Sequence, residues 1–128
     1  MGDVDETRFV EVLEGMRPRF CESGFVGFEC PMGWLDLAHD LHTRLTENPD
    51  YRVVQVKEKF GGLRFYTEGL THAEREMVYA VEAESFRVCA DCGSRNAVSL
   101  RDRGWLASLC DACYGHYSTA PATDAWGA

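Results

Sequence analysis

The chain has 128 residues, a formal charge of −8 and 45% hydrophobic residues. That suffices for one core with a small metal module beside it, and no stretch approaches the roughly 20 apolar residues of a membrane span. Residues 1–50 carry eleven acids against four bases, whereas residues 87–128 carry four of each; the acidic half repels nucleic-acid and membrane phosphates and is expected to steer toward a basic protein partner.

Met1-Gly2-Asp3-Val4-Asp5-Glu6 is acidic where a secretory leader is basic and then apolar, so a cytoplasmic location is expected, with thiols kept reduced. From Asp5 to Arg17, Phe9, Val12, Leu13 and Met16 recur at helical spacing, and Pro18 follows as a stop. The aromatics and glycines of residues 20–30 suit a loop or short strand on the core. Pro31 fits the first turn of a second helix, where its missing N–H does no harm. Trp34, Leu37, Ala38, Leu41 and Leu45 line one face of that helix, which Asn48-Pro49 ends.

Tyr51 to Thr67 reads as a β-hairpin turning at Gly61-Gly62, a pair able to take positive φ. That turn sets Phe60 opposite Leu63, Lys59 opposite Arg64, Glu58 opposite Phe65, Lys57 opposite Tyr66 and Val56 opposite Thr67. One face then carries Val54, Val56, Phe60, Leu63 and Phe65, and the other Lys57, Lys59, Arg64 and Tyr66. Thr71-His72-Ala73-Glu74 has the form of a capping box opening a third helix to about Phe86, with Ala73, Met77, Ala80 and Val81 directed to the apolar hairpin face.

Cys89-Ala90-Asp91-Cys92 and Cys110-Asp111-Ala112-Cys113 form two Cys-x-x-Cys pairs. Each closes a tight turn presenting two thiolates, and together Cys89, Cys92, Cys110 and Cys113 suit a tetrahedral structural Zn²⁺. Gly93 permits the first turn. Residues 98–100 and 105–107 pair across Arg101 to Gly104 as a small hairpin, and a short helix opens at Cys110–Cys113, the order of a treble-clef or zinc-ribbon finger. Four protein ligands leave no open position, which argues for scaffold over catalysis. The alternatives are buried thiols, a redox dithiol, or His116 replacing Cys113. The fold class is thus α+β: an acidic core over residues 1–86 with helices on a small antiparallel hairpin, a zinc finger over 87–118, and a flexible tail over 119–128 with Trp126 as its one large apolar side chain.

Other constellations have plainer readings. Cys21 and Cys30 are spaced too widely for a knuckle; a second site with His39 or His42 is weighed against buried thiols and exposed polar helix positions. Lys57, Lys59, Arg64 and Tyr66 form a candidate binding face on which cations grip phosphate and tyrosine stacks on a base, and Arg101 and Arg103 would enlarge it if the fold brings them near. Against this stand the chain's acidity and the common use of strand cations to block edge pairing. Glu58 on the apolar face needs a partner, and no second acid, nucleophile or open metal site can be placed beside it.

Glu29-Cys30-Pro31-Met32-Gly33-Trp34, the block from Val56 to Tyr66 (Val-Lys-Glu-Lys-Phe-Gly-Gly-Leu-Arg-Phe-Tyr) and the two Cys-x-x-Cys pairs together resemble a family of small uncharacterised bacterial and phage proteins. The likeness runs from about residue 28 to 115. It implies a zinc-bearing fold and a bacterial or phage setting, and it implies no reaction. Members often carry Cys-x-x-His as the last pair, so Cys113 is a departure. The expected function is a non-enzymatic macromolecular binding module, directed to protein as an accessory, inhibitor or immunity factor, with no membrane and no small-molecule substrate. A nucleic-acid binder using the basic hairpin face is the alternative, and an enzyme using Glu58 or a redox dithiol ranks last.

Overall fold

The computed structural model describes the backbone of residues 2–21 and 27–119 and the side chains of 6–21 and 27–116. The expected tail from residue 120, with Trp126, lies outside the described residues, as do residues 22–26 of the expected loop.

Helix α1 (Gly2–Met16) buries Val12 and Met16, with Phe9 and Leu13 packed beside them, as their spacing predicts. Pro18 cannot continue the α-helical hydrogen bonding, and the chain leaves through a 3₁₀ turn at Arg17–Arg19. Phe20 bridges to Val53, and strand β1 (Gly27–Phe28) runs parallel to the strand that contains Val53. A second 3₁₀ turn, Met32–Trp34, leads into α2 (Leu35–Leu45). Pro31 stands just before that turn in an extended conformation, φ −56° and ψ 144°, rather than within the helix's first turn. Of the predicted face of α2, Ala38, Leu41 and Leu45 are buried and Leu37 partly so, with Leu35 buried beside them and Trp34 wholly enclosed at the start. At its far end Arg19 donates to the carbonyls of Thr46 and Asn48, each at 2.8 Å, satisfying acceptors that the helix leaves open.

Strands β2 (Arg52–Lys59) and β3 (Gly62–Glu68) form the expected hairpin, in a sheet of order β1-β2-β3. The turn is Phe60-Gly61, at φ +54° and +88°, and not Gly61-Gly62. Lys59 therefore pairs with Gly62, Glu58 with Leu63, Lys57 with Arg64, Val56 with Phe65 and Gln55 with Tyr66. Gly62 belongs to β3 because a Cβ there would overlap the Phe86 ring; its bareness serves packing rather than the turn. Each β2 residue meets a partner two positions earlier in β3 than expected. Because pleating repeats every two residues, that shift leaves the two faces intact.

Three apolar positions nevertheless depart from the expected faces. Phe60, now in the turn, is exposed, and a bulge between Val53 and Gln55 turns Val53 inward and Val54 out. The buried set is Val53, Val56, Leu63 and Phe65.

Helix α3 (His72–Ser85) opens on the predicted capping box, with Thr71 and Glu74 satisfying each other's backbone N–H groups. Val78, Val81 and Ser85 are its buried residues, with Met77 packed beside them; Ala73 and Ala80 are exposed, contrary to expectation. The helix is turned so that its side chains serve the open edge of β3. The Leu63 N–H donates to Ser85 Oγ at 2.8 Å, and the Phe65 N–H donates to Glu82 Oε2 at 2.9 Å. An edge that would otherwise recruit another strand is thereby closed.

A two-stranded sheet follows, β4 (Val98–Asp102) against β5 (Leu106–Cys110), and then α4 (Asp111–Thr119). Among the described residues no helix is long and apolar enough to cross a membrane.

Candidate metal centre and neighbouring surfaces

Residues 89–94 form a tight knuckle. The Cys89 N–H donates to the Ser94 carbonyl at 2.8 Å, and the Gly93 N–H returns to the Cys89 carbonyl at 2.9 Å. Gly93 holds φ +81°, a conformation that side-chain-bearing residues rarely adopt. Cys110 ends β5 and Cys113 lies in the first turn of α4, its N–H directed at Cys110 Sγ, 3.4 Å away. Knuckle and helix start thus present two sulfurs each to one point.

The four sulfurs all lie within 4.8 Å of one another, with Cys92 and Cys110 3.8 Å apart, and none is in a disulfide. The tetrad can hold a metal ion. Among the described residues it is the one group of three or more such ligands, so Cys21, Cys30, His39 and His42 do not assemble a second site, and His116 stands outside the tetrad.

Burial pushes the Cys89 thiol up, but N–H groups of Cys110, Cys92 and Asp91 more than offset it and bring the group down to about 7. Burial, hydrogen bonding to the other three thiols and the charge of Cys89 hold Cys113 well above the ordinary thiol value.

The tetrad is fastened to the core through the backbone. Val88 and Ala90 pack into the main core, while Cys89 between them packs with Ala107, Leu109 and Cys110. The Gly33 N–H donates to the Ala90 carbonyl at 2.7 Å, and the Trp34 indole N–H to the Val88 carbonyl at 2.8 Å. On the other flank, the Ala90 N–H donates to the Ser108 carbonyl, and the buried Ser108 hydroxyl donates to the Gly61 carbonyl at 2.6 Å. Sequence reasoning missed Ser108; its one signal is a polar residue between the inward positions Ala107 and Leu109.

Lys57, Lys59, Arg64 and Tyr66 share one face of the hairpin, with Lys57 directly opposite Arg64. Arg101 and Arg103 do not extend it, being engaged within the finger. Arg101 bonds Asp111 at 2.5 Å and covers the Tyr114 ring, while Arg103 covers Trp105 and lies 3.8 Å from Asp91. Glu58 lies beside Leu63 on the apolar side, and its Oε2 accepts the Gly61 N–H at 2.6 Å, which closes the turn and explains the carboxylate.

His42 is buried rather than exposed, with Nδ1 2.7 Å from the Tyr51 hydroxyl. Cys30 is a buried thiol pushed up to about 12 by desolvation, and Cys21 is raised by burial and by its contact with the Glu68 carboxylate. Both are poor nucleophiles.

No family model, curated protein or solved structure matches the chain.

Proposed function

We propose that Cys89, Cys92, Cys110 and Cys113 hold a structural Zn²⁺ in a treble-clef finger, and that the chain is a non-catalytic module binding another protein. The observation that carries the reading is the closed set of four sulfurs. A tetrahedral site with metal–sulfur bonds of about 2.3 Å has sulfur–sulfur edges of about 3.8 Å, and the Cys92–Cys110 separation is 3.8 Å. Zinc supplies charge to a thiolate cage there and leaves no position for substrate. The order knuckle, hairpin and helix, with ligands from the knuckle and the start of the helix, supports the treble clef.

The favoured partner is basic and meets the acidic first half, where Glu6, Glu11, Glu14, Asp36 and Asp40 are exposed on α1 and α2. An accessory, inhibitor or immunity role in a bacterial or phage setting fits such a module. The alternative, nucleic-acid binding, is favoured by one observation: among the described residues, Lys57, Lys59 and Arg64 share a face with Tyr66 and none of the three forms an ion pair with a carboxylate.

Elemental analysis of the purified chain should find close to one zinc per molecule. Much less than half, with four titratable thiols in residues 89–113, rejects the metal. Capture from host lysate should retain a basic protein on the native chain and lose it with Glu11→Lys/Asp40→Lys; retention by both rejects the acidic face. Salt-sensitive binding to DNA or RNA, abolished by Lys57→Glu/Arg64→Glu, selects the alternative.

A further inference from the structure

We infer that the tip formed by the β2–β3 turn and the β4–β5 hairpin is a second docking surface, opposite in chemistry to the acidic face, which takes an acidic protein segment bearing leucine or aromatic side chains. Four large apolar side chains stand exposed there: Phe60 at 68%, Trp105 at 58%, Leu100 at 49% and Leu106 at 38%. Leu100 and Leu106 line one face of the β4–β5 hairpin beside the turn that carries Phe60. Leu100 Cδ1 occupies the space that a Cβ on Gly61 would take, so it abuts the turn carrying Phe60. Leu106 lies diagonally from Leu100 on the same face of the hairpin, since Leu100 pairs with Ser108 and Asp102 with Leu106. Trp105 precedes Leu106 at the end of the hairpin, and the Ser108–Gly61 hydrogen bond fastens the β2–β3 turn to the hairpin's middle.

Phe60 is the most informative member. A two-residue turn with positive φ at both positions favours Asn, Asp or Gly first. Phe60 instead takes φ +54° with its ring largely in water. Left-handed backbone is unfavourable for a bulky side chain, and an exposed ring contributes no burial. Neither turn preference nor core packing accounts for phenylalanine here. A contact outside the chain does, because aromatic anchors carry much of the energy of protein interfaces.

Charge fixes the partner's chemistry. Lys59 Nζ lies 5.7 Å from the centre of the Phe60 ring and Lys57 is next along the same face, neither of them paired with a carboxylate among the described residues, whereas Arg103 over Trp105 is already engaged with Asp91. A second copy of the tip would bring like charges together. Leu100 and Leu106 suit aliphatic side chains, and Lys57 and Lys59 suit the carboxylates that flank them. The proposal rests on the reading of the chain as a protein-binding module and uses a different surface from the acidic face.

A random-peptide display library panned on the full, metal-loaded chain tests it, with Phe60→Asn and Trp105→Ser as separate comparison chains. Selected peptides should combine Asp or Glu with Leu or aromatic residues and bind roughly tenfold or more weakly to either variant. They should bind Glu11→Lys/Asp40→Lys as they bind the native chain. Phe60→Asn should melt no lower than the native chain, which separates lost contact from lost fold, and Trp105→Ser gives an independent reading if it does not. No selected peptides, basic ones, or undiminished binding to both variants would overturn the tip while leaving the acidic face standing. Stronger capture of a labelled single-stranded thymidine oligomer, lost with Phe60→Asn, would overturn the assignment to a protein.

Discussion

Gly33 and Cys89 meet so closely that no side chain fits between them: a Cβ on Gly33 would overlap the Cys89 carbonyl oxygen and the Ala90 backbone. The first ligand of the tetrad is therefore seated against the turn that opens α2, and the main core and the metal centre share one backbone seam. Gly33→Ala forces that seam apart and should destabilise the chain by about 1–3 kcal/mol, the usual range for overpacking. Chemical denaturation measures the loss, and the proposed zinc should leave the variant at lower chelator concentration than it leaves the native chain.

Chelation should loosen residues 88–113 before it loosens α1 and α2. The knuckle's few hydrogen bonds do not by themselves offset the ordering of a chain whose small apolar cluster has the ligand Cys89 at its centre. Hydrogen exchange on stripped protein should show faster exchange at the Ala90 and Gly93 amides, with Leu41 and Leu45 protected longer. Equal protection of both regions after stripping would contradict a structural metal.

Much of this architecture is legible in the sequence wherever one physical signal acts alone. The threonine and glutamate of the capping box, the apolar stripe of α2 and the two cysteine pairs each have one job, and each occurs where expected. The hairpin turn was misplaced because glycine serves two purposes in Gly61-Gly62: positive φ at the first, and clearance for the Phe86 ring at the second. The buried face of α3 was misread because alanines suit either side; the decision comes from Ser85 and Glu82 reaching the open edge of β3. Strand β1 has two residues, too few for any period, and His42 is buried with hydrogen bonds to Tyr51, nine residues later, and to the Gly15 backbone, which no local pattern announces.

That histidine gives the stability an acid limit. Burial holds His42 below its ordinary value of 6.5, so the folded state keeps it neutral while the unfolded chain takes up a proton. The unfolded state then binds more protons, and the group's contribution, complete above pH 6.5, is lost as pH falls from there through the lowered folded-state value. Denaturation at a series of pH values should show this decline, and His42→Phe should flatten it. Tyr51→Phe leaves the buried ring nitrogen without its partner and should cost about 1–3 kcal/mol at neutral pH.

Glu82 has the opposite sign. Burial raises its carboxyl above the usual 4.5, although the Phe65 N–H pulls it down. The folded state therefore holds the proton more tightly, and stability from this group is present below pH 4.5 and declines as pH rises through the raised value. Glu82→Gln retains an acceptor for the Phe65 N–H and removes the charge. The variant should gain on the native chain as pH rises from 4 to 7, read as the difference in denaturation midpoints. Glu82→Ala, which opens the β3 edge, should instead lose about 1 kcal/mol.

The enclosed indole of Trp34, bonded to the carbonyl just before Cys89, makes the molecule its own optical gauge. Trp105 is largely exposed, so in a Trp126→Phe chain a shift of emission to longer wavelength reports chiefly on Trp34. Fluorescence of that untagged chain can thus time the parting of the finger from the α2 turn as ion is withdrawn, without any label.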